Sequence, residues 1–380
     1  MANCSPSDLR LLRVSGFGLI EIMIALALGT VIILGVTTLF SDSSRALNDI
    51  TRAGRQMENS LYAIDLLAKE LALVDYWGEA SAPIDADDPA YGALRASELG
   101  GLEIDPYPES PPLCAGTGAT GFDPRVELAW AMEYPLLAGL GSEINSAVGA
   151  NQCNGGGSTA AATAAFVAVR RASTCATGPG SLAATNRCGE VDDFFYLQTN
   201  GCYDENAGTS GGEVKLYRSN SAGMSTIFDY TRFGCDANEP AAGMGVAPIY
   251  RYVSRIYYVN QNDQLIRLSL ENLDSGGTGY QPEILVEGVE DLQFEWFIDD
   301  SGSGAYDRVE RTLVTSDAGN VIGVKIWLMV RDTQPRAGYA DTAVYTVAGE
   351  PWSVPAGMTS YPRTLQSRMV SLPNRVGRRR

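Results

Sequence analysis

The chain has 380 residues, 45% of them apolar, which is enough to build one large or two medium globular units with a hydrophobic core. Its formal net charge of −17 disfavours nonspecific contacts with phosphates, so no nucleic-acid partner is expected. Histidine is absent, which excludes Ser-His-Asp and Cys-His catalysis. No other constellation of nucleophile and base stands out, so the sequence predicts no enzyme.

A polar leader, residues 1–16, precedes an apolar stretch from Phe17 to Phe40. A helix over this stretch would be roughly 36 Å long, which is enough to cross a bilayer. Basic residues in the leader tend to stay cytoplasmic, which places the later residues on the far side of the membrane. The sequence therefore predicts a transmembrane and assembly helix over residues 17–40.

Glu21 is the only charged residue of that stretch, and a carboxylate inside a membrane is costly unless a cation pairs with it. The stretch contains no Lys or Arg that could pair with Glu21. Cleavage after Gly16 would create an α-amino group on Phe17 and supply the cation.

Residues 16–21 read Gly-Phe-Gly-Leu-Ile-Glu before the apolar run. This motif resembles the class III signal of type IV pilins and type II secretion pseudopilins, whereas an ordinary secretory signal is cleaved after its apolar run. The resemblance implies cleavage after Gly16 by prepilin peptidase, N-methylation of Phe17 and a role for Glu21 in assembly. The family usually has Ser or Thr where this chain has Gly18, a departure that leaves the cleavage site intact.

Residues 41–78 continue the helix as an amphipathic half. Apolar residues recur there at spacings of three and four from Leu47 to Val74, which predicts one packed face and one polar face. The helix is expected to run unbroken to about Tyr76 and to end near Gly78, since glycine can take a left-handed cap.

Residues 79–190 change character, with an acidic, proline-rich first part and a Gly/Ala-rich second part, and they predict an irregular variable region. Within it, Phe166–Arg170 is a candidate first strand. Six cysteines remain outside the leader in a chain whose bulk is exported, which favours disulfides with open connectivity. These candidates are Cys114, Cys153, Cys175, Cys188, Cys202 and Cys235.

Residues 191–374 are dominated by short segments rich in β-branched and aromatic residues, which predict an antiparallel sheet domain. A long helix followed by a run of strands indicates an α+β fold in which the sheet covers the apolar stripe of the helix. Four motifs follow one another in this part: Val286–Trp296, Val324–Arg331, Tyr345–Val347 and Met369–Asn374. Their order resembles the PilW-type minor pilins, and J-type pseudopilins share much of it.

A twelve-residue loop has the spacing of a calcium loop, with weaker charge than usual because serines replace Asp or Asn. A hairpin connection is the favoured interpretation and calcium the alternative; no other cofactor is expected. The candidate ligands are Asp299, Ser301, Ser303, Ala305, Asp307 and Glu310.

The C-terminal residues 375–380 form a basic tail, which is expected to be frayed and solvated, with a docking contact as the alternative. Arginine occupies four of these positions, Arg375, Arg378, Arg379 and Arg380.

Together the resemblances imply a pilin fold and a minor pilin of the type IV pilus, acting in an initiation or tip complex. A J-like pseudopilin, a pilus-borne adhesin and a DNA-uptake pilin are the alternatives, the last opposed by the acidic charge. The implied partners are other minor pilins, the major pilin, prepilin peptidase, the inner-membrane assembly platform and, for the precursor, the membrane itself. The resemblances imply that the precursor lies in the inner membrane with its globular part in the periplasm, and that the mature subunit lies in the pilus on the cell surface.

Overall fold

The computed structural model describes residues 18–78, 112–118, 134–149, 157–177, 194–199, 214–218, 247–273 and 277–378, together with strands 203–204 and 209–210 and a few single positions. Helix α1 spans Leu19–Ala72, and the chain divides between Arg55 and Gln56 into two units. The leader, Gly16 and Phe17 lie outside the described residues.

Helix α1 ends about one turn before the predicted end at Tyr76. Gly78 does take a left-handed conformation, at φ 74°, but the helix has ended before it: Asp75 already adopts φ 65°, the left-handed conformation that terminates a helix. The side-chain amide of Asn374 donates to the carbonyl oxygen of Val74 at 3.1 Å. This bond satisfies one carbonyl at the end of the helix, where no intrahelical donor is left.

Seven strands form the first sheet: β1 Leu136–Leu140, β2 Ala165–Thr177, β3 Phe195–Thr199, β6 Val214–Arg218, β7 Ile249–Val259, β8 Gln264–Asn272 and β9 Thr278–Glu287. Their order is β1-β2-β7-β3-β6, with β8 next to β7 and β9 next to β8, and every pairing is antiparallel. Two short strands, β4 Tyr203–Asp204 and β5 Thr209–Ser210, pair with each other.

The sheet begins earlier in the chain than the predicted boundary at residue 191. Strands β1 and β2, with helix α2 (Gly141–Gly149) between them, lie inside the segment 79–190 that the sequence assigned to irregular structure. From Ala165 to Ala172 strand β2 is buried at every position between β1 and β7. Such a strand has no polar alternation by which the sequence could reveal its full length.

The second sheet contains β10 Val289–Ile298, β11 Arg308–Glu310, β12 Val321–Arg331 and β15 Arg363–Ser371, in the antiparallel order β11-β10-β12-β15. A 3₁₀ turn, Thr315–Asn320, precedes β12. Strands β13 Tyr345–Val347 and β14 Glu350–Trp352 form a separate hairpin, and helix α3 covers Pro373–Arg378.

The part of α1 from Gln56 to Ala72 packs on both sheets through a stripe of small and branched side chains. Leu67 and Leu71 are fully buried there, and burying a leucine contributes about 1.5–3 kcal/mol. A second core covers the other side of the first sheet, where Trp77 stacks on Tyr252 with ring centroids 6.1 Å apart. The predicted α+β arrangement, a long N-terminal helix packed on antiparallel strands, is confirmed, with two large sheets in place of one.

Polar contacts fix both ends of this packed helix segment. Gln56 is buried, and its side-chain amide donates to the carbonyl oxygens of Val330 at 2.9 Å and Pro362 at 3.2 Å. Near the other end, Glu70 pairs with Arg171 at 3.2 Å and Arg255 at 2.5 Å. A buried carboxylate requires such cations, so these contacts select one register of the helix on the sheets.

Candidate functional site: the N-terminal helix and its signal

The N-terminal part of α1 is apolar on every face. Side chains from Leu19 to Phe40 are exposed almost throughout, including Leu19 at 79% and Phe40 at 73%. Among the described residues, α1 is the one helix that is long and apolar enough to cross a membrane. A helix that is apolar all round is stable only when something outside the subunit covers it, either lipid or other helices.

Glu21 lies in the first turn of α1, where its side chain acts on its own backbone. One carboxylate oxygen accepts a hydrogen bond from the backbone N–H of Gly18 at 3.0 Å. This bond is one half of a capping box, in which a glutamate on the first turn reaches back to the residue that precedes the helix. Because Gly18 has no side chain, it cannot supply the reciprocal half.

The carboxylate of Glu21 is therefore already hydrogen-bonded inside its own subunit. One N–H donor leaves the second carboxylate oxygen and the negative charge available to a cation. The predicted cation, the α-amino group of Phe17 after cleavage, belongs to residues outside the described part. Its pairing with Glu21 stays a prediction.

The candidate calcium loop connects β10 to β11 and is held by bonds within the loop. Asp299 accepts backbone N–H donors from Ser303 at 3.1 Å and Gly304 at 2.9 Å. Burial acts to raise the pKa of this carboxyl, and the hydrogen bonds lower the pKa below its ordinary value. Asp307 in turn accepts the N–H of Ser301 at 2.8 Å.

The outer end of this loop is neutralised by an arginine. Arg308 donates to Asp300 at 2.7 Å, to Asp317 at 2.8 Å and to Glu310 at 3.3 Å. Among the described residues, no group of three or more His, Cys, Asp or Glu side chains is arranged to hold a metal ion. The geometry has the features of a hairpin connection, and calcium binding stays a prediction of the sequence.

Two of the six candidate cysteines form a disulfide, Cys114 with Cys153, with Cα atoms 4.9 Å apart. Cys175 is disulfide-bonded as well. The remaining three, Cys188, Cys202 and Cys235, lie outside the described residues, so the number of bridges stays a prediction.

The chain around Cys114 is also held by hydrogen bonds. Glu127, which is fully buried, accepts the backbone N–H groups of Gly116, Thr117 and Gly118 at 2.9 to 3.0 Å. Tyr280 of strand β9 donates its hydroxyl to the carbonyl oxygen of Ala115 at 3.1 Å. The disulfide thus anchors an ordered turn to the first sheet.

The prediction of a frayed tail is wrong at its first residue. Arg375 belongs to α3 and is 7% exposed, because its guanidinium pairs with Asp75 at 3.5 Å and donates to the carbonyl of Ala318. The arginine thereby holds Asp75, the left-handed residue that follows the end of α1. Arg379 and Arg380 lie outside the described residues.

A buried cluster of charged side chains around Arg363 has no signal in the sequence. The side chain of Arg363 is fully buried and makes a two-pronged contact with Glu290 at 2.6 and 2.8 Å, while Asp341 accepts from it at 3.1 Å. Burial acts to lower the pKa of Arg363, and the two carboxylates reverse this and raise it. Glu290, Asp341 and Arg363 are far apart in sequence, so no local spacing predicts that they meet.

Comparison with known proteins gives one family match. Residues 256–374 match the family described as Type IV Pilus-assembly protein W, a range that covers the last residues of β7, strands β8 to β15 and the first residues of α3. A solved type IV-like pilin from Thermus thermophilus is 18% identical, with a TM-score of 0.21, over 38% of this chain and 76% of that one. No curated protein matches the chain.

Proposed function

We propose that this chain is a PilW-type minor pilin that enters the type IV pilus in an initiation or tip complex; the match of residues 256–374 to the type IV pilus-assembly protein W family supports this. The fold and the family are those of a structural subunit of a pilus-related system. The apolar helix near the N-terminus fits a protein that is anchored in a membrane.

The observation that carries this proposal is the exposed apolar half of α1 on a chain with a PilW-type C-terminal part. Side chains from Leu19 to Phe40 need a cover, and the chain itself provides none among its described residues. Lipid covers them while the precursor is in the inner membrane, and neighbouring pilin helices cover them in the fibre. Both environments are apolar, so transfer between them costs little hydrophobic free energy.

The proposed transfer from the membrane to the fibre assigns roles to residues 1–16, Phe17 and Glu21. Prepilin peptidase removes residues 1–16, Phe17 becomes the N-terminal residue, and its α-amino group pairs with Glu21 of a neighbouring subunit during assembly. A pair in the wrong register would leave both charges unpaired in a medium of low dielectric, so the contact selects the register more than it adds stability.

The partners in this proposal are the major pilin, other minor pilins, prepilin peptidase and the inner-membrane assembly platform. The family match favours a pilus over a type II secretion apparatus, because the matched family is one of type IV pilus assembly. The globular part faces the periplasm first and the cell surface afterwards. No catalytic step is assigned to the chain.

The test combines processing with localisation. In cells that make the pilus, intact-mass analysis of the wild-type chain should find Phe17 as its first residue, and the chain should be recovered in sheared fibres. The variant Gly16→Arg should keep the leader and be absent from the fibres, with Ser15→Ala as the matched control that is cleaved normally. A mature chain that begins at any residue other than Phe17, or a wild-type chain that never enters fibres, would refute the proposal.

A further inference from the structure

Strand β15 is a free edge of the second sheet. It pairs with β12 over its whole length and with no other strand of the described chain. At one end Leu372 donates its N–H to Ile322, and at the other end Asp332 donates its N–H to Pro362. In an antiparallel ladder the backbone groups of successive residues point to opposite sides.

The even-numbered residues of β15 therefore bond to β12, and the odd-numbered residues direct their N–H and C=O groups away from the sheet. The outward positions are Arg363, Leu365, Ser367, Met369 and Ser371. All five can donate, because none is a proline.

The edge of the first sheet at β9 is protected in two ways, and β15 has neither of them. Leu273 donates its N–H to Gly277, so the same alternation places the ring nitrogen of Pro282 on the outer side of β9, where it removes a donor. The preceding outward residue, Tyr280, donates its N–H to the carbonyl of Cys153. A long strand edge without such protection is a template for pairing with another chain.

Apolar side chains flank the free edge on both faces of the sheet. Met57 and Leu61 of α1 are 46% and 48% exposed on the helix side, where the amide of Gln366 lies 3.5 Å from the sulfur of Met57. Met369 is 52% exposed on the opposite side, next to Gly323, whose missing side chain leaves room for it. An added strand would bury these side chains as well as pair its backbone.

The C-terminal segment that contains this edge is basic. From Arg363 to the C-terminus the sequence has six arginines and no acidic residue, in a chain with a net charge of −17, and of these Arg363 and Arg375 are buried in ion pairs with carboxylates. On the helix side, Asp65 is shared between Lys69 at 2.6 Å and Arg368 at 2.7 Å. Two cations on one carboxylate leave a positive charge beside the edge for an acidic partner.

We propose that β15 accepts an extended, acidic strand from another subunit of the same pilus, with Leu365, Ser367, Met369 and Ser371 supplying the backbone bonds. The inference rests on the proposed function, because it names the partner as a pilus subunit. Main-chain bonds provide the affinity in this mode of recognition, and Arg368, Met369 and the helix side chains select the partner.

The variant Ser367→Pro tests the pairing. It removes an outward N–H and leaves every bond between β15 and β12 in place, so the protein should reach its normal level in cells. Its recovery in sheared fibres should fall at least tenfold. Ser367→Ala keeps the N–H and should behave as wild type, whereas Gln366→Pro removes a bond to β12 and should lower protease resistance, which shows that the folding assay can detect a broken ladder.

A photo-crosslinking amino acid at Met369 identifies the occupant. In fibres it should crosslink to a different pilus subunit, identified by mass spectrometry, and the crosslink should be lost when Ser367→Pro is added. A crosslink only to a second copy of this chain, no crosslink, or equal incorporation of Ser367→Pro and wild type would overturn the inference. Absence of the wild-type chain from fibres would instead overturn the proposed function.

Discussion

Between Leu19 and Phe40, helix α1 exposes apolar side chains on every face, whereas between Gln56 and Ala72 the same helix buries an apolar stripe against two sheets. Both segments have the same backbone conformation, and their difference lies in where the apolar side chains are. A stripe is satisfied inside the subunit, because its polar face can remain in water. A wholly apolar surface requires lipid or other subunits, so the second segment, the folding segment, stabilises the folded subunit and the first needs an apolar environment outside it.

The largest expected effect is on the folding segment. Leu67→Ala removes a fully buried side chain and should lower the free energy of unfolding of the globular part by about 3 kcal/mol. Leu34, which is 66% exposed in the apolar segment, is the matched control, and Leu34→Ala should change that free energy by less than about 0.5 kcal/mol. Denaturant titration of both variants in detergent measures the difference; equal losses would break the comparison.

A smaller loss is expected from the ion pairs of the same segment. Glu70→Gln leaves Arg171, whose side chain is 8% exposed, without its carboxylate and should cost about 2 kcal/mol. The control is Glu58→Gln, an exposed carboxylate on the same helix, which should cost almost nothing. If thermal unfolding gives the same midpoint for both variants, the Glu70 contacts do not hold the helix in register.

A substitution of Glu21, in the apolar segment, should affect assembly and not folding. Glu21→Gln keeps an oxygen that can accept the N–H of Gly18 but loses the charge, so cleavage, insertion and stability of the globular part should be retained. Its recovery in sheared fibres should fall about tenfold, equivalent to about 1.4 kcal/mol. The control Asp42→Asn removes an exposed carboxylate beyond the apolar stretch and should be incorporated normally. Recovery of Glu21→Gln at the wild-type ratio to the major subunit would contradict the ion-pair role.

The smallest effect is expected where the folding segment ends. Asn374→Ala removes the amide that caps Val74 and should cost about 1 kcal/mol, since the carbonyl loses its partner in a half-buried site. Asn59→Ala, on an exposed face of α1, is the control. Chemical denaturation should separate the two variants by a measurable shift in midpoint; identical midpoints would mean that water caps the helix equally well.

Much of the architecture follows from local patterns in the sequence. The apolar run, the single Glu21 within it and the spacing from Leu47 to Val74 predict the helix and its two halves, because helical periodicity is a property of neighbouring residues. The end of the helix was predicted less well. Asp75 takes the left-handed conformation with support from Asn374 and Arg375, which lie some 300 residues away in sequence and leave no local signal.

By itself, the sequence determined three features of the chain: an apolar segment without a polar face, an amphipathic helix and a strand-rich C-terminal part. Only the tertiary structure decided that β1 and β2 join the sheet, that Arg363 meets Glu290, and that β15 ends the second sheet with its outward N–H groups unpaired by any strand of the described residues. A strand's alternation is a local property, but whether it lies at the centre or the edge of a sheet depends on which distant strands pair with it.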